Sequence, residues 1–166
     1  MNEIEMDTNI KQEDAVFMRH AVGIAKAGID KGCGPFGAVI AREGRLIAEA
    51  NNEVVNLHDP TAHAEILAIR EASELLGCHD LSDCVLYSSC EPCPMCFGAI
   101  YWAGIRTVFF ASDRTDAERS GFSDKMIYDE IALDPHDRKI SFVKMSDAGG
   151  DEVFRKWDSF ESRIPY

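Results

Sequence analysis

Two clusters of metal-binding residue types, His63-Ala64-Glu65 and Cys93-Pro94-Met95-Cys96, place the strongest demand on how this chain folds. Cys93 and Cys96 stand three apart at a predicted helix start, so both sulfurs can lie on one face. The positive end of a helix favours thiolate over thiol there. His63 falls in the first turn of another predicted helix. One imidazole and two thiolates make three legs of a tetrahedral zinc site whose fourth position stays open, which distinguishes a catalytic zinc from a structural one. Glu65, two residues from His63, does not share its helix face. It suits a neighbour that reaches the substrate side and moves protons for water activated by the metal. Cys90 has the same spacing to Cys93 and competes as a ligand. Cys93 and Cys96 are preferred because Pro92 starts the helix there while Cys90 ends a strand. A fold for this chain must therefore bring two helix starts together.

The rest of the sequence supplies a framework for that meeting. Phe17, Ala21, Ile24 and Gly28 recur at helical spacing within Glu13–Ile29. Phe36–Ala41 reads as a buried strand, Glu43-Gly44 as a turn, and Leu46–Ala50 as the returning strand, after which Asn51 and Asn52 leave the sheet. Asp59-Pro60-Thr61 reads as a helix start and Gly77 as its stop. Strands follow at Cys84–Ser89, Thr107–Ala111 and Lys139–Met145. A helix opened by Pro92 ends near Gly104, and a short helix covers Glu152–Phe160. Strands separated by helices imply right-handed crossovers. The expected fold class is α/β, a three-layer α/β/α sandwich with a mixed, mainly parallel five-stranded sheet. No internal repeat, low-complexity tract or Pro/Ser-rich linker marks a second domain, so residues 1–166 are expected to form one.

Charge narrows the partners. Asp and Glu number 29 against 17 Lys and Arg, a net charge of −12, which repels a polyanion at long range. Nucleic acid is therefore not expected. The longest charge-free stretch near the centre, Pro92 to Ile105, is shorter than the ~20 residues that span a bilayer, so no membrane association is expected. The acidic first residues lack the apolar region of a secretory signal, and a cytoplasmic, reducing setting is expected. The six cysteines then read as ligands or buried thiols, with Cys33, Cys78 and Cys84 as small core residues. Tyr101 and Trp102 read as packing residues. His20, His58, His79 and His136 lack partners at ligand spacing.

Taken together, His-x-Glu followed by Pro-Cys-x-x-Cys, both at helix starts, matches the zinc-deaminase signature. The sequence resembles the cytidine-deaminase-like zinc deaminases and, within them, the bacterial guanine deaminases. The likeness is carried by Gly34–Ile40 (GPFGAVI), Asn51-Asn52, Asp59–Glu65 (DPTAHAE), Ser89–Ala103 (SCEPCPMCFGAIYWA), Gly121–Asp124 (GF-x-D) and the terminal Tyr166. It implies zinc held by His63, Cys93 and Cys96, with Glu65 as proton shuttle. It further implies that Asn52 and Asp124 contact a purine, that Phe36 packs on its ring, and that Tyr166 arrives from a neighbouring subunit of a homodimer, with the tail from about 160 to 166 exchanged. The reaction implied is hydrolysis of guanine to xanthine and ammonia. In one departure from the family, which often has two acids after Gly-Phe, Ser123 precedes Asp124.

Other readings share parts of this pattern. Guanosine, cytosine or an aminotriazine would suit the same polar contacts. A tRNA adenosine deaminase carries the same metal signature but needs a surface for phosphates. A non-catalytic zinc-stabilised interaction domain would close the metal with a fourth protein ligand and leaves Glu65 unexplained.

Overall fold

The computed structural model describes residues 10–146 and 148–165. The elements of the first part are α1 (Gln12–Ile29), β1 (Gly34–Arg42), β2 (Arg45–Asn52), α2 (Val54–Leu57), α3 (Ala64–Leu76), β3 (Cys84–Cys90), α4 (Pro94–Trp102), β4 (Thr107–Ser112) and α5 (Arg114–Arg119). The chain divides into two compact units, one running to Asp124 and the other from Lys125.

In the first unit the strands lie in the order β2-β1-β3-β4. Glu43 and Gly44, at φ 51° and 72°, turn β1 tightly into β2 and pair Arg42 with Arg45, as the sequence predicts. Alternation along β1 sorts side chains to two faces. Ala38 and Ile40 join Leu86 against Ala64, Ala68 and Ala72 of α3 and Ile100 of α4. Val39 and Ala41 join Tyr87 against Ala21 and Phe17 of α1. Helices thus cover both faces, giving the expected three layers.

Two features of the sheet differ from the sequence reading. The crossover from β2 through α3 places β3 parallel to β2, yet β3 docks on the far side of β1. Its neighbour β1 therefore runs antiparallel to it, and only β3 and β4 pair in parallel. Among the described residues the sheet has four strands, not five. The segment Lys139–Met145 forms none. The Lys139 amide donates to the Glu130 side chain at 2.7 Å, and no neighbouring strand takes up its backbone.

α1 sits unusually close to the sheet. A Cβ built on Gly37 would stand 2.4 Å from the Ala21 carbonyl oxygen and 2.7 Å from the Ala25 amide nitrogen, so only glycine fits. The pairing of β1 with β2 shifts register between Gly34 and Gly37. The Gly37 amide donates instead to Ser89 Oγ at 3.0 Å. Asn51 and Asn52 remain in β2 rather than leaving it, opposite Gly37 and Gly34.

Both functional helices start later than the sequence suggests. Asp59 Oδ1 accepts from the Thr61 amide and hydroxyl, each at 2.7 Å, and this local turn competes with a helical cap. α3 begins at Ala64 with His63 as its N-cap. Likewise Cys93, held extended because Pro94 follows it, caps α4, so Pro94 and not Pro92 opens that helix. Gly77, in the left-handed conformation, ends α3 as expected. Cys33 and Cys84 are buried as expected, but Cys78, next to that stop, is exposed. Tyr101 and Trp102 are also exposed, on the outer side of α4.

The second unit contains α6 (Lys125–Ile131), a 3-10 turn (Pro135–Asp137) and α7 (Gly150–Asp158). None of its described residues is buried, and Val153, Phe154, Phe160 and Ile164 are among its exposed apolar side chains. Among the described residues no helix is long and apolar enough to cross a membrane.

Candidate active site

The crossovers place the N-termini of α3 and α4 beside the C-terminal end of β3, a position at the edge of an α/β sheet where ligands commonly bind. His63, as N-cap, turns its ring away from the helix axis toward α4. Its Nδ1 lies 3.5 Å from Cys93 Sγ and 3.6 Å from Cys96 Sγ. The three donor atoms all fall within 4.8 Å of one another, and among the described residues no other such group occurs. A tetrahedral zinc, with bonds of ~2.3 Å to sulfur and ~2.0–2.1 Å to nitrogen, separates neighbouring sulfur and nitrogen donors by about 3.6 Å. The site fits that ion. Cys90 is not part of the group. Its thiol is directed at the Asp113 carbonyl, and burial pushes its pKa up to about 11.

The two ligand thiols are shifted in opposite directions. The Cys96 S–H, together with the His63 ring, pulls Cys93 down to about 4. The same bond to Cys93, followed by burial, drives Cys96 up. His63 is raised by its hydrogen bond to Cys93. A divalent cation held by this set would take both sulfurs as thiolates.

Glu65, the second residue of α3, is only 6% exposed. Burial raises its pKa, a shift toward the range useful for proton transfer near neutrality. Its Oε1 accepts from Ser88 Oγ at 3.1 Å, and its Oε2 lies 3.4 Å from Cys96 Sγ. The carboxylate thus touches the ligand set without belonging to it.

A cavity of about 240 Å³ opens over these groups, lined by His63, Glu65 and Cys93 on one side and by Phe36, Asn52 and Phe122 on another. Pockets for drug-sized ligands run roughly 300–1,000 Å³, so this one suits a single heterocycle. Phe36 and Phe122 meet edge to face, their centroids 4.9 Å apart, and form an aromatic wall. Asn52 is buried, with Oδ1 accepting from the Val54 amide at 3.3 Å. Gly34 makes room for it, because a Cβ there would come within 2.9 Å of Oδ1. The last wall comes from α5. Asp113 and Asp116 cap its start reciprocally, and Glu91 Oε2 accepts from the Arg114 amide at 3.2 Å, which ties α5 to the end of β3.

Of the residues singled out in the sequence, His63, Glu65, Cys93, Asn52 and Phe36 line this cavity, and Cys96 lies buried behind it beside His63 and Cys93. Asp124 is half-buried, and burial raises its carboxyl, which also feels the charge of Cys93. It is not part of the cavity wall. Ser123, at the departure from the family pattern, donates to Glu118 at 3.2 Å, where a second acid would be repelled. Tyr166 lies outside the described residues. Sequence reasoning missed Ser88, Phe122 and Arg114. Two serines ending an otherwise apolar strand were the available signal for the first.

Comparison with known proteins agrees with the geometry. The family model for the cytidine and deoxycytidylate deaminase zinc-binding region matches residues 11–112. Guanine deaminase of Bacillus subtilis is 47% identical over 151 residues, covering 90% of this chain and 97% of that protein. The X-ray structure of the Bacillus subtilis guanine deaminase superposes with a TM-score of 0.89 at 46% identity, covering 92% of this chain and 98% of that one. A structure of NE0047 in complex with 2,6-diaminopurine matches with a TM-score of 0.63 at 40% identity, over 65% of this chain and 61% of that one. A tRNA-specific adenosine deaminase of Aquifex aeolicus is 38% identical, over 84% of this chain and 93% of its own length.

Proposed function

This chain belongs to the cytidine and deoxycytidylate deaminase zinc-binding family, and from that premise we propose that it is a zinc-dependent guanine deaminase, hydrolysing guanine to xanthine and ammonia. The observation that carries the reading is the donor set of His63, Cys93 and Cys96 at zinc spacing, with the buried Glu65 beside it and a cavity sized for one heterocycle above. A zinc ion in this set supplies, when bound, a water activated for attack near neutral pH.

The chain's own groups do the rest. Glu65 takes a proton from the attacking water and delivers it to ring N3 as charge develops there. It then carries a proton to the departing amine. One C–O bond forms at C2, one C–N bond breaks, and a water is consumed for each ammonia released. Asn52, its Oδ1 tied to the Val54 amide, turns Nδ2 to an acceptor on the purine edge. Phe36 packs against the ring face, and Asp124 takes an N–H edge of the purine. The net charge of −12 disfavours a tRNA substrate, which the same metal chemistry would otherwise serve.

The working unit in this reading is a homodimer of single deaminase domains in which the tail from about 160 to 166, with Tyr166, covers the neighbour's cavity. Exposed Phe97, Tyr101 and Trp102 on α4, and exposed Phe160 and Ile164 near the chain end, support such an assembly. All six cysteines are free thiols, which suits a reducing, cytoplasmic compartment. The test is ammonia release by zinc-loaded protein from guanine, guanosine, adenine and cytosine. Guanine is expected to react fastest, and faster release from another member of the panel would overturn the assignment.

A further inference from the structure

Ser88 interrupts a strand face that is otherwise apolar. Leu86, two residues earlier on the same side of β3, is fully buried in the core beneath α3. Ser88 is itself only 2% exposed. A hydroxyl at such a position requires a hydrogen-bond partner, and Glu65 Oε1 provides it at 3.1 Å. The other carboxylate oxygen, Oε2, faces the sulfur side, 3.4 Å from Cys96 Sγ. The two oxygens of Glu65 therefore sit in different surroundings, one anchored to the sheet and one turned to the ligand set.

We infer that Ser88 is a positioning residue for the reaction, its hydroxyl pinning Glu65 Oε1 so that Oε2 faces the reacting atoms. This rests on the proton-carrying role of Glu65 proposed above. The last torsion of a glutamate is broad and roughly two-fold, so an unanchored carboxylate samples orientations that aim neither oxygen correctly. Ser88 can supply a fixed reference because β3 is held on both sides, with Ser88 paired to Ala38 of β1 and to Phe110 of β4. Held this way, the carboxylate keeps its aim while protons pass through the other oxygen, and no reorientation is needed during turnover.

A purely structural hydroxyl would affect stability, whereas a positioning one affects turnover. The test compares Ser88→Ala, Ser88→Val and Ser88→Thr by zinc content, thermal midpoint, and kcat and KM on guanine. For Ser88→Ala, kcat is expected to fall roughly 10- to 100-fold, the range for losing a hydrogen bond to a charged group, with zinc content and KM unchanged. Ser88→Val should behave likewise, and Ser88→Thr, which keeps the hydroxyl, should recover most of the rate. In a Glu65→Gln background Ser88→Ala should cost nothing further, because the two act as one unit. The inference fails if folded, zinc-loaded Ser88→Ala keeps its kcat, if the loss lies in KM, or if Ser88→Thr is as slow as Ser88→Ala. Glu65→Gln separates the two ideas. If it is crippled while Ser88→Ala is not, only the inference about Ser88 falls. If it turns over normally, the role of Glu65 falls as well.

Discussion

Up to Asp124 the chain folds around its own sheet, with side chains buried on both faces and every described zinc-ligand candidate at one end. From Lys125 onward it forms helices with none of the described residues buried, although Phe142, Val143, Val153, Phe154 and Ile164 are apolar. Apolar residues in both stretches cost the same to leave in water, so the difference lies in what each can cover unaided. The first unit has a two-sided sheet to bury them against. The second has short helices, and isolated short helices are marginal without tertiary packing. The contrast places the candidate site in the first stretch.

The strongest challenge to that division is at the reacting end. Glu65→Gln should retain zinc and lose turnover by about 10²–10⁴-fold, the usual contribution of general acid–base catalysis. Ammonia release and metal analysis on the same sample would check it, and near-normal turnover would move the chemistry away from Glu65. A second test at the site is removal of residues 160–166. If this tail covers a neighbour's cavity, the truncated protein should sediment as a smaller species, with KM for guanine raised on the order of 10-fold, equivalent to about 1.4 kcal/mol of binding free energy. Unchanged KM and sedimentation would confine the whole site to the first unit. The third is a pair of stability measurements by urea unfolding. Leu86→Ala, in the core, should cost roughly 2–5 kcal/mol. Lys125→Ala, which removes an exposed ion pair to Asp129, should change stability by less than about 0.5 kcal/mol.

The parts of the site legible in the sequence were those encoded locally. His63 and Glu65, or Cys93 and Cys96, announce themselves because ligand spacing is a short-range pattern, and the hairpin at Glu43-Gly44 is equally local. The exact helix starts were harder, since the Asp59 turn and the proline after Cys93 each compete with a cap by small local energies. What remained hidden depends on strand order. Ser88 and Glu65 are 23 residues apart and meet only because β3 docks beside β1 with α3 across it. Phe122 reaches Phe36 by a similar route, from the end of α5 to the start of β1. The expected strand at Lys139–Met145 shows the opposite error. Its alternation suggests a sheet position, yet strand formation is decided by a neighbour's free edge.

The close approach of Gly37 to the backbone of α1 has a mechanical corollary. Here main chain bears on main chain, with no side chain between, so a tilt of α1 would press on the strand directly beside Phe36. That aromatic ring is also one jamb of the opening above the metal ligands. The opening thus borders a strand whose rear is pressed by a helix that supplies none of the ligand or acid residues.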